Sequence, residues 1–261
     1  MNIVVCIKQV PNSSEAKIDP ATGTLNRAGL PSIMNPDDKG GLEFALQLKD
    51  KYGAHVTVIT MGLPQAEAIL REALAMGVDR AILLTDRKLG GADTLATSSA
   101  LAGALRTMDF DIVITGRQAI DDDTAQVGPQ IAEHLDLPQV SYLEHLDYEE
   151  ATKTFHIRKQ TEEGYELLDM QAPCLVTVLA SACKPRYMSV NGIVTAFDKE
   201  VEVWGADRIN VPDERIGKAG SPTSVFKAFP KQLKPAGETF EVTPEEAVEL
   251  IVNKLKEKHI I

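Results

Sequence analysis

The chain has 261 residues, about 1.7 times a ~150-residue domain, so it holds one large α/β domain with an appendage or two small domains. Its 27 Lys and Arg against 38 Asp and Glu give a net charge of −11 and a pI near 5.0, which argues against non-specific nucleic-acid binding. Hydrophobic content of 44% and charged content of 25% are ordinary globular values, and no apolar run reaches the ~18 residues of a membrane span. The first ten residues carry Lys8 and lack a cleavage site, so no signal peptide is expected and the protein reads as cytoplasmic. Cys6, Cys174 and Cys183 lie in apolar runs with no C-x-x-C, which argues against zinc ribbons, iron–sulfur clusters and thioredoxin chemistry.

Short apolar runs alternate with helical patterns through the first half, the rhythm of βαβ units. Residues 3–7 are expected as a strand, 37–52 as a helix closed by Gly53, and 55–61 as the next strand. A helix over 64–76 takes Pro64 at its first position and stops at Gly77. Residues 81–85 form a strand, 93–106 a helix capped by Asp93, and 111–115 another strand, followed by a loop and a helix ending near Leu135. These strands are apolar throughout rather than alternating, as in a parallel sheet covered on both faces. The expected fold is therefore a doubly wound, mostly parallel α/β sheet. Residues 154–159 and 165–169 flank a turn at Gly164 and predict a β-hairpin insertion, and 174–180 one more buried strand.

After residue 183 the pattern loosens, and residues 184–235 predict a long irregular stretch. Its apolar residues, among them Val190, Ile193, Val194, Phe197, Val203, Trp204, Val225, Phe226 and Phe229, favour a docking arm over disorder. Thr243-Pro244-Glu245-Glu246 is a capping box that opens a closing helix through Lys258. The organisation reads as an α/β domain over 1–183 and an arm over 184–261.

No nucleophile elbow, H-E-x-x-H or P-loop is present, and the five histidines sit in no local motif with Ser, Cys or acid. Two strand-to-helix turns stand out. Gly90-Gly91-Ala92-Asp93-Thr94 lacks the dinucleotide fingerprint, yet Thr94 and Thr97 at a helix N-terminus suit a phosphate, with a flexible turn capped by Asp93 as the alternative. Gly116-Arg117-Gln118-Ala119-Ile120-Asp121-Asp122-Asp123-Thr124-Ala125-Gln126-Val127-Gly128-Pro129 follows a strand end, where open α/β sheets bind ligands. Its aspartates either bond loop amides as Asx turns do or hold Mg²⁺. Asn35-Pro36-Asp37-Asp38 at another junction either meets an adenine or ribose edge or caps a helix.

These segments together resemble the β subunit of electron-transferring flavoproteins over essentially the whole chain. The resemblance is carried by Val5-Cys6-Ile7-Lys8-Gln9-Val10-Pro11, Met34-Asn35-Pro36-Asp37, Ala73 to Arg80, Gly116 to Asp123 and Pro185-Arg186-Tyr187-Met188-Ser189-Val190. Its most specific part is Ile157-x-Lys159, Glu162-Glu163-Gly164, Glu166-x-Leu168 and Pro173-x-Leu175-Val176-Thr177. The resemblance implies that residues 1–183 form a Rossmann-like nucleotide-binding domain, in a heterodimer with an α subunit that carries its own FAD. In most of the family the β site holds a structural AMP; in an electron-bifurcating branch it holds a second FAD that takes a hydride from NADH. Thr124-Ala125-Gln126-Val127-Gly128-Pro129 departs from the Gln-Thr-Gly-Gln run of the AMP type and resembles the bifurcating branch.

The cofactor positions so implied are Cys6, Asn35, Asp37, Asp38, Met61, Asp93, Thr94, Thr97, Gly116, Arg117, Gln118, Ala119, Asp121, Asp122, Thr124, Ala125, Gln126, Val127, Gly128 and Pro129, with FAD expected and AMP the alternative. Tyr187, Met188, Val190, Ile193 and Val194 are similar to the loop that docks an acyl-CoA dehydrogenase, Val190 being the anchor, and the tail is expected to wrap the α subunit. Ferredoxin or flavodoxin is the implied low-potential acceptor. A stand-alone ATP-hydrolysing α/β enzyme is the reading from a different class. Residues 1–183 carry 15 basic against 26 acidic side chains and residues 184–261 carry 12 against 12. Phosphate capture is therefore expected to rest on amides, helix N-termini and hydroxyls, with Arg117 as a lone cation.

Overall fold

A computed structural model describes residues 1–12, 31–224 and 237–261. The chain divides into compact units over Met1–Lys227 and Ala228–Ile261.

The larger unit is built on a nine-stranded sheet. In chain order its elements are β1 (Asn2–Cys6), a small antiparallel pair β2 (Gln9–Pro11) and β3 (Ser32–Met34), α1 (Pro36–Tyr52), β4 (His55–Met61), α2 (Glu67–Met76), β5 (Arg80–Leu84), α3 (Thr94–Leu105), β6 (Ile112–Gly116) and α4 (Val127–Leu135). Then come β7 (Gln139–Glu149), β8 (Thr154–Gln160), β9 (Tyr165–Gln171), β10 (Cys174–Val178), α5 (Val190–Thr195) and β11 (Val201–Trp204). The sheet order is β11-β5-β4-β1-β6-β10-β7-β8-β9. Pairing is parallel from β11 through β7, and only β7, β8 and β9 run antiparallel. This is the expected α/β class.

The continuous apolar strands follow from coverage on both faces. Along β1, Ile3 and Val5 join one core with Leu42 and Leu46 of α1 and Leu70 and Leu74 of α2. Val4 and Cys6 join a second core with Leu101 and Leu105 of α3 and Ile131 of α4. A strand with only one buried face would alternate; β1 has none to spare for polar side chains. The order reverses at the centre of the sheet: β1, β4 and β5 step one way through α1 and α2, and α3 then carries the chain back to β6 on the other side of β1. The carboxyl ends of β1 and β6 thus diverge, opening a crevice between them.

Three sequence expectations are corrected here. The helix over 64–76 opens as a 3₁₀ turn, Pro64–Ala66, before α2. The hairpin is a three-stranded antiparallel extension, because β7 precedes it. The eleven residues of β7 bury Val140, Leu143, Leu146 and Tyr148, and Tyr142 takes φ 64, where the register shifts. That bulge breaks the two-residue period and hides the strand. The stretch from residue 184 is not uniformly irregular, since β11 completes the sheet edge beside β5, and Trp204 is buried there between the Arg80 and Arg208 guanidiniums. The β2–β3 pair was not anticipated. Val225, Phe226 and Phe229 lie outside the described residues.

The second unit contains α6 (Pro244–Glu257), whose Thr243–Glu246 capping box forms as expected. Val248 and Ile251 are exposed on it. No helix among the described residues is long and apolar enough to cross a membrane.

Candidate functional site

A cleft of about 570 Å³ opens at the crevice between β1 and β6 and extends to the N-terminus of α3. One wall is apolar, from Cys6, Ile7, Ile59, Met61, Leu89 and Leu101. The other is polar: Lys8, Asp38, the segment Thr115–Ala119, Asp122, the segment Thr124–Gly128, and Gly91, Ala92, Asp93, Thr94, Thr97 and Thr223. An apolar slot edged by a few convergent polar groups is the usual form of a small-molecule site.

Of the sequence-derived positions, Cys6, Asp38, Met61, Asp93, Thr94, Thr97, Gly116, Arg117, Gln118, Ala119, Asp122, Thr124, Ala125, Gln126, Val127 and Gly128 line this one cleft. Asn35, Asp37, Asp121 and Pro129 do not line it. The first two form the support behind it. Asn35 occupies the N-cap position of α1 without a side-chain cap bond. Its Nδ2 instead donates to Gln118 O at 2.8 Å, and its Oδ1 accepts Ile120 N at 3.1 Å. Asp37 accepts Ala180 N at 2.9 Å and Gln118 N at 3.3 Å. The start of α1 therefore holds the loop after β6 in place, and the Asn35 side chain does not cap its own helix.

Asp38 is the centre of this support. Its Oδ2 accepts Lys8 N at 2.7 Å and its Oδ1 accepts Gly116 N at 3.0 Å, so one buried carboxylate joins the diverging ends of β1 and β6. Gly116 has to be glycine here: a Cβ would collide with Asp38 Oδ1 and come within 2.8 Å of Asp37 Cβ. Gly128 is tight for a similar reason, with Thr115 Oγ1 at 2.6 Å and Thr177 Cγ2 at 2.7 Å from an added Cβ. Burial pushes Asp38 up to about 7 against the pull of its hydrogen bonds, and Asp37 adds to the rise. Burial, then the Asp38 charge, pushes the Cys6 thiol to about 12, which makes it an inert apolar wall group.

At the α3 end, Asp93 is the N-cap, its Oδ1 accepting Ala96 N at 3.0 Å. Its Oδ2 accepts the Thr223 hydroxyl at 2.8 Å and the Thr223 amide at 3.1 Å. The Thr94 hydroxyl donates to Gln126 Oε1 at 2.8 Å, across from α3 to the β6–α4 loop.

The three consecutive aspartates behave differently from the expectation of bonding loop amides. Asp121 and Asp122 both take the Lys8 ammonium, at 2.8 and 2.9 Å, and Asp123 accepts Gln118 Nε2 at 2.7 Å. Lys8 therefore lines the cleft beside Arg117, so the expected lone cation is one of two among the described residues. Lys8 was missed because it sits 113 residues from Asp121 and no local pattern joins them. Arg117 Nε is buried 3.5 Å from Asp37 Oδ2, and its guanidinium lies 5.9 Å from the Tyr142 ring centroid.

The segment carrying Tyr187, Met188, Val190, Ile193 and Val194 lies apart from the cleft lining. Arg186 grips Glu43 through Nε at 2.9 Å and Nη2 at 3.0 Å, and also Asp50 at 2.8 Å. At the other end, Arg71 Nη1 donates to Ala196 O and Lys199 O at 2.8 and 2.6 Å. Between these fixed ends Tyr187 is 88% and Val190 82% exposed, with Val194 and Phe197 also exposed.

Away from the cleft, His134 Nε2 lies 3.2 Å from both Ser98 and Ser99 Oγ, a contact between α3 and α4 that no local motif announced. It lines no part of the cleft.

Fold and cleft together define a doubly wound α/β protein with a cleft at its switch point. A family model described as the electron transfer flavoprotein domain matches residues 22–209. The chain is 56% identical over 261 residues to the electron transfer flavoprotein subunit beta of Clostridium acetobutylicum, covering 100% of each. It is 49% identical over 264 residues to the caffeyl-CoA reductase-Etf complex subunit CarD of Acetobacterium woodii, again with 100% of each covered. Against the acryloyl-CoA reductase electron transfer subunit gamma of Anaerotignum propionicum it is 42% identical over 269 residues, with the same full coverage. The chain belongs to the electron transfer flavoprotein family, as a β subunit. Such subunits work with an α subunit and with associated reductases or dehydrogenases.

Proposed function

We propose that this chain is the FAD-holding β subunit of an electron-bifurcating flavoprotein. Bound FAD would supply hydride acceptance from NADH and one-electron transfer, one electron going to ferredoxin or flavodoxin and the other through the α-subunit FAD to an acyl-CoA dehydrogenase. The chain's own residues bind and orient: Cys6, Ile59, Met61 and Leu101 offer apolar surface to a flat ring, while the Arg117 guanidinium and the Thr97 hydroxyl in the first turn of α3 offer polar groups to oxygens.

One observation carries this reading over AMP. The cleft lining runs from the β1–β6 crevice to Thr94 and Thr97 in the first turn of α3, farther than a mononucleotide needs to reach. The names of two relatives, a caffeyl-CoA reductase complex subunit and an acryloyl-CoA reductase electron transfer subunit, support an acyl-CoA partner. Arg186 and Arg71 support the reading of the segment with Tyr187, Met188, Val190, Ile193 and Val194 as the docking loop, since they fix a short apolar projection at both ends. The arm ending in α6 is read as packing on the α subunit.

The test is nucleotide release from the purified heterodimer. Two FAD per heterodimer are expected; one FAD with one AMP would overturn the bifurcating reading and leave a β subunit with a structural nucleotide.

A further inference from the structure

The segment from Gly116 to Gln126 is held unevenly. Its root is tied by buried groups: Gly116 N to Asp38, Gln118 N to Asp37, and Gln118 O and Ile120 N to the Asn35 side chain. Its far end is tied by Gln126 to Thr94. Between them Lys8 Nζ holds the tip at the surface, to Asp121 Oδ1 at 2.8 Å and to Asp122 Oδ2 at 2.9 Å, while Asp123 turns back on the root through Gln118 Nε2 at 2.7 Å and through its own amide to Ala119 O at 2.9 Å. The tip also contains two non-glycine residues in left-handed backbone, Asp123 with φ 51 and Ala125 with φ 53. Asp122, Thr124 and Ala125 face the cleft, so displacement of the tip exposes it.

From this contrast we propose that residues 121–125 form a lid on the cleft, latched shut by the Lys8 ammonium on Asp121 and Asp122. The inference rests on the reading of the cleft as the nucleotide site and adds how that site opens. Burial works against the charge on Lys8, but the hydrogen bonds and charges of the two aspartates outweigh it and raise its pKa. The latch is therefore charged at neutral pH. Exposed ion pairs are screened by salt, whereas the buried bonds at the root are not. Salt thus loosens the tip and leaves the root in place, with the strained residues 123 and 125 as the pivots.

The test uses the full-length chain in complex with its α subunit. Amide hydrogen exchange at 121–125 and at 116–119, and the rate of nucleotide release, are followed at low and high salt. The proteins are wild type, Lys8→Met, Asp121→Asn/Asp122→Asn, and the triple variant. At low salt, exchange at 121–125 and nucleotide release are expected to rise about three- to thirtyfold in all three variants alike, the worth of one to two exposed ion pairs. High salt brings wild type toward the variants, and exchange at 116–119 stays put. A Lys8→Met protein that exchanges like wild type at 121–125 overturns the latch. Faster exchange with unchanged release overturns the lid. Should extraction find neither FAD nor AMP in the β cleft, the nucleotide reading falls and with it the gating of a nucleotide, while exchange still decides the latch.

Discussion

Asp38 and Gly116 meet at the switch point of the sheet, the carboxylate of one accepting the amide of the other at 3.0 Å with no room for a Cβ between them. The second oxygen of the same carboxylate holds Lys8 N at 2.7 Å. The crevice between β1 and β6 is therefore set by one buried side chain and one missing one.

Gly116→Ala is expected to push the β6 end off α1. Overpacking of this kind costs about 1–3 kcal/mol, read as a lower urea midpoint at unchanged slope. Loss of cleft nucleotide on purification accompanies it. An Ala variant that keeps wild-type stability and nucleotide would show that the contact relaxes freely.

Asp38 gives stability a definite pH dependence. Its carboxyl titrates near 3.8 unfolded and is pushed up to about 7 by burial in the folded protein. The folded state thus holds a proton that the unfolded state has lost between those values, and stability declines as pH rises through that window. In Asp38→Asn this contribution to the decline disappears, although the variant is less stable throughout because the amide cannot accept both backbone donors. Chemical denaturation from pH 4 to 8 measures the slope; equal slopes in the two proteins would place the titration elsewhere.

Asp93 has two tasks, capping α3 and holding Thr223 at the cleft mouth. Removal of an N-cap costs about 0.5–2 kcal/mol. Asp93→Ala is expected to lose that much by thermal or urea unfolding and to weaken nucleotide retention. Thr223→Val, which keeps the cap, should lower retention with little change in stability. If Thr223→Val instead destabilises as much as Asp93→Ala, the strap rather than the cap carries the energy.

Val190 projects between the Arg186 and Arg71 anchorages with its side chain in solvent. On the docking reading, Val190→Asp raises KM for the acyl-CoA dehydrogenase roughly tenfold or more, the usual size of a hot-spot loss. Nucleotide content and folding stability stay as in wild type. Unchanged steady-state kinetics with the dehydrogenase would remove Val190 from the interface.

Much of the fold was legible because parallel strands covered on both faces leave a strong local trace. Residues 3–7 and 111–115 read as buried strands from composition alone, and Asp93 and Thr243 announced their helices through capping. What escaped depended on partners. The bulge at Tyr142 broke the alternation of β7, and four residues of β11 became a strand only by meeting β5. At the site, the glycine-rich turns and the acidic loop marked their own positions. Lys8 carries no such mark, and Asn35 and Asp37 looked like ligand groups or caps while acting as supports behind the loop.

By itself the sequence determined the class of fold, the family, and which turns border the site, because each is encoded in contiguous residues whose propensities and spacing act locally. Tertiary structure alone decided which charges meet. The pairing of Lys8 with Asp121 and Asp122, and the bridge from Asp38 to Gly116, join residues 78 to 114 positions apart, on α1 and beside the ends of β1 and β6, which only the switch of sheet order brings together. Coulomb and hydrogen-bond energies depend on distances of a few ångströms, and those distances exist only once the sheet is assembled.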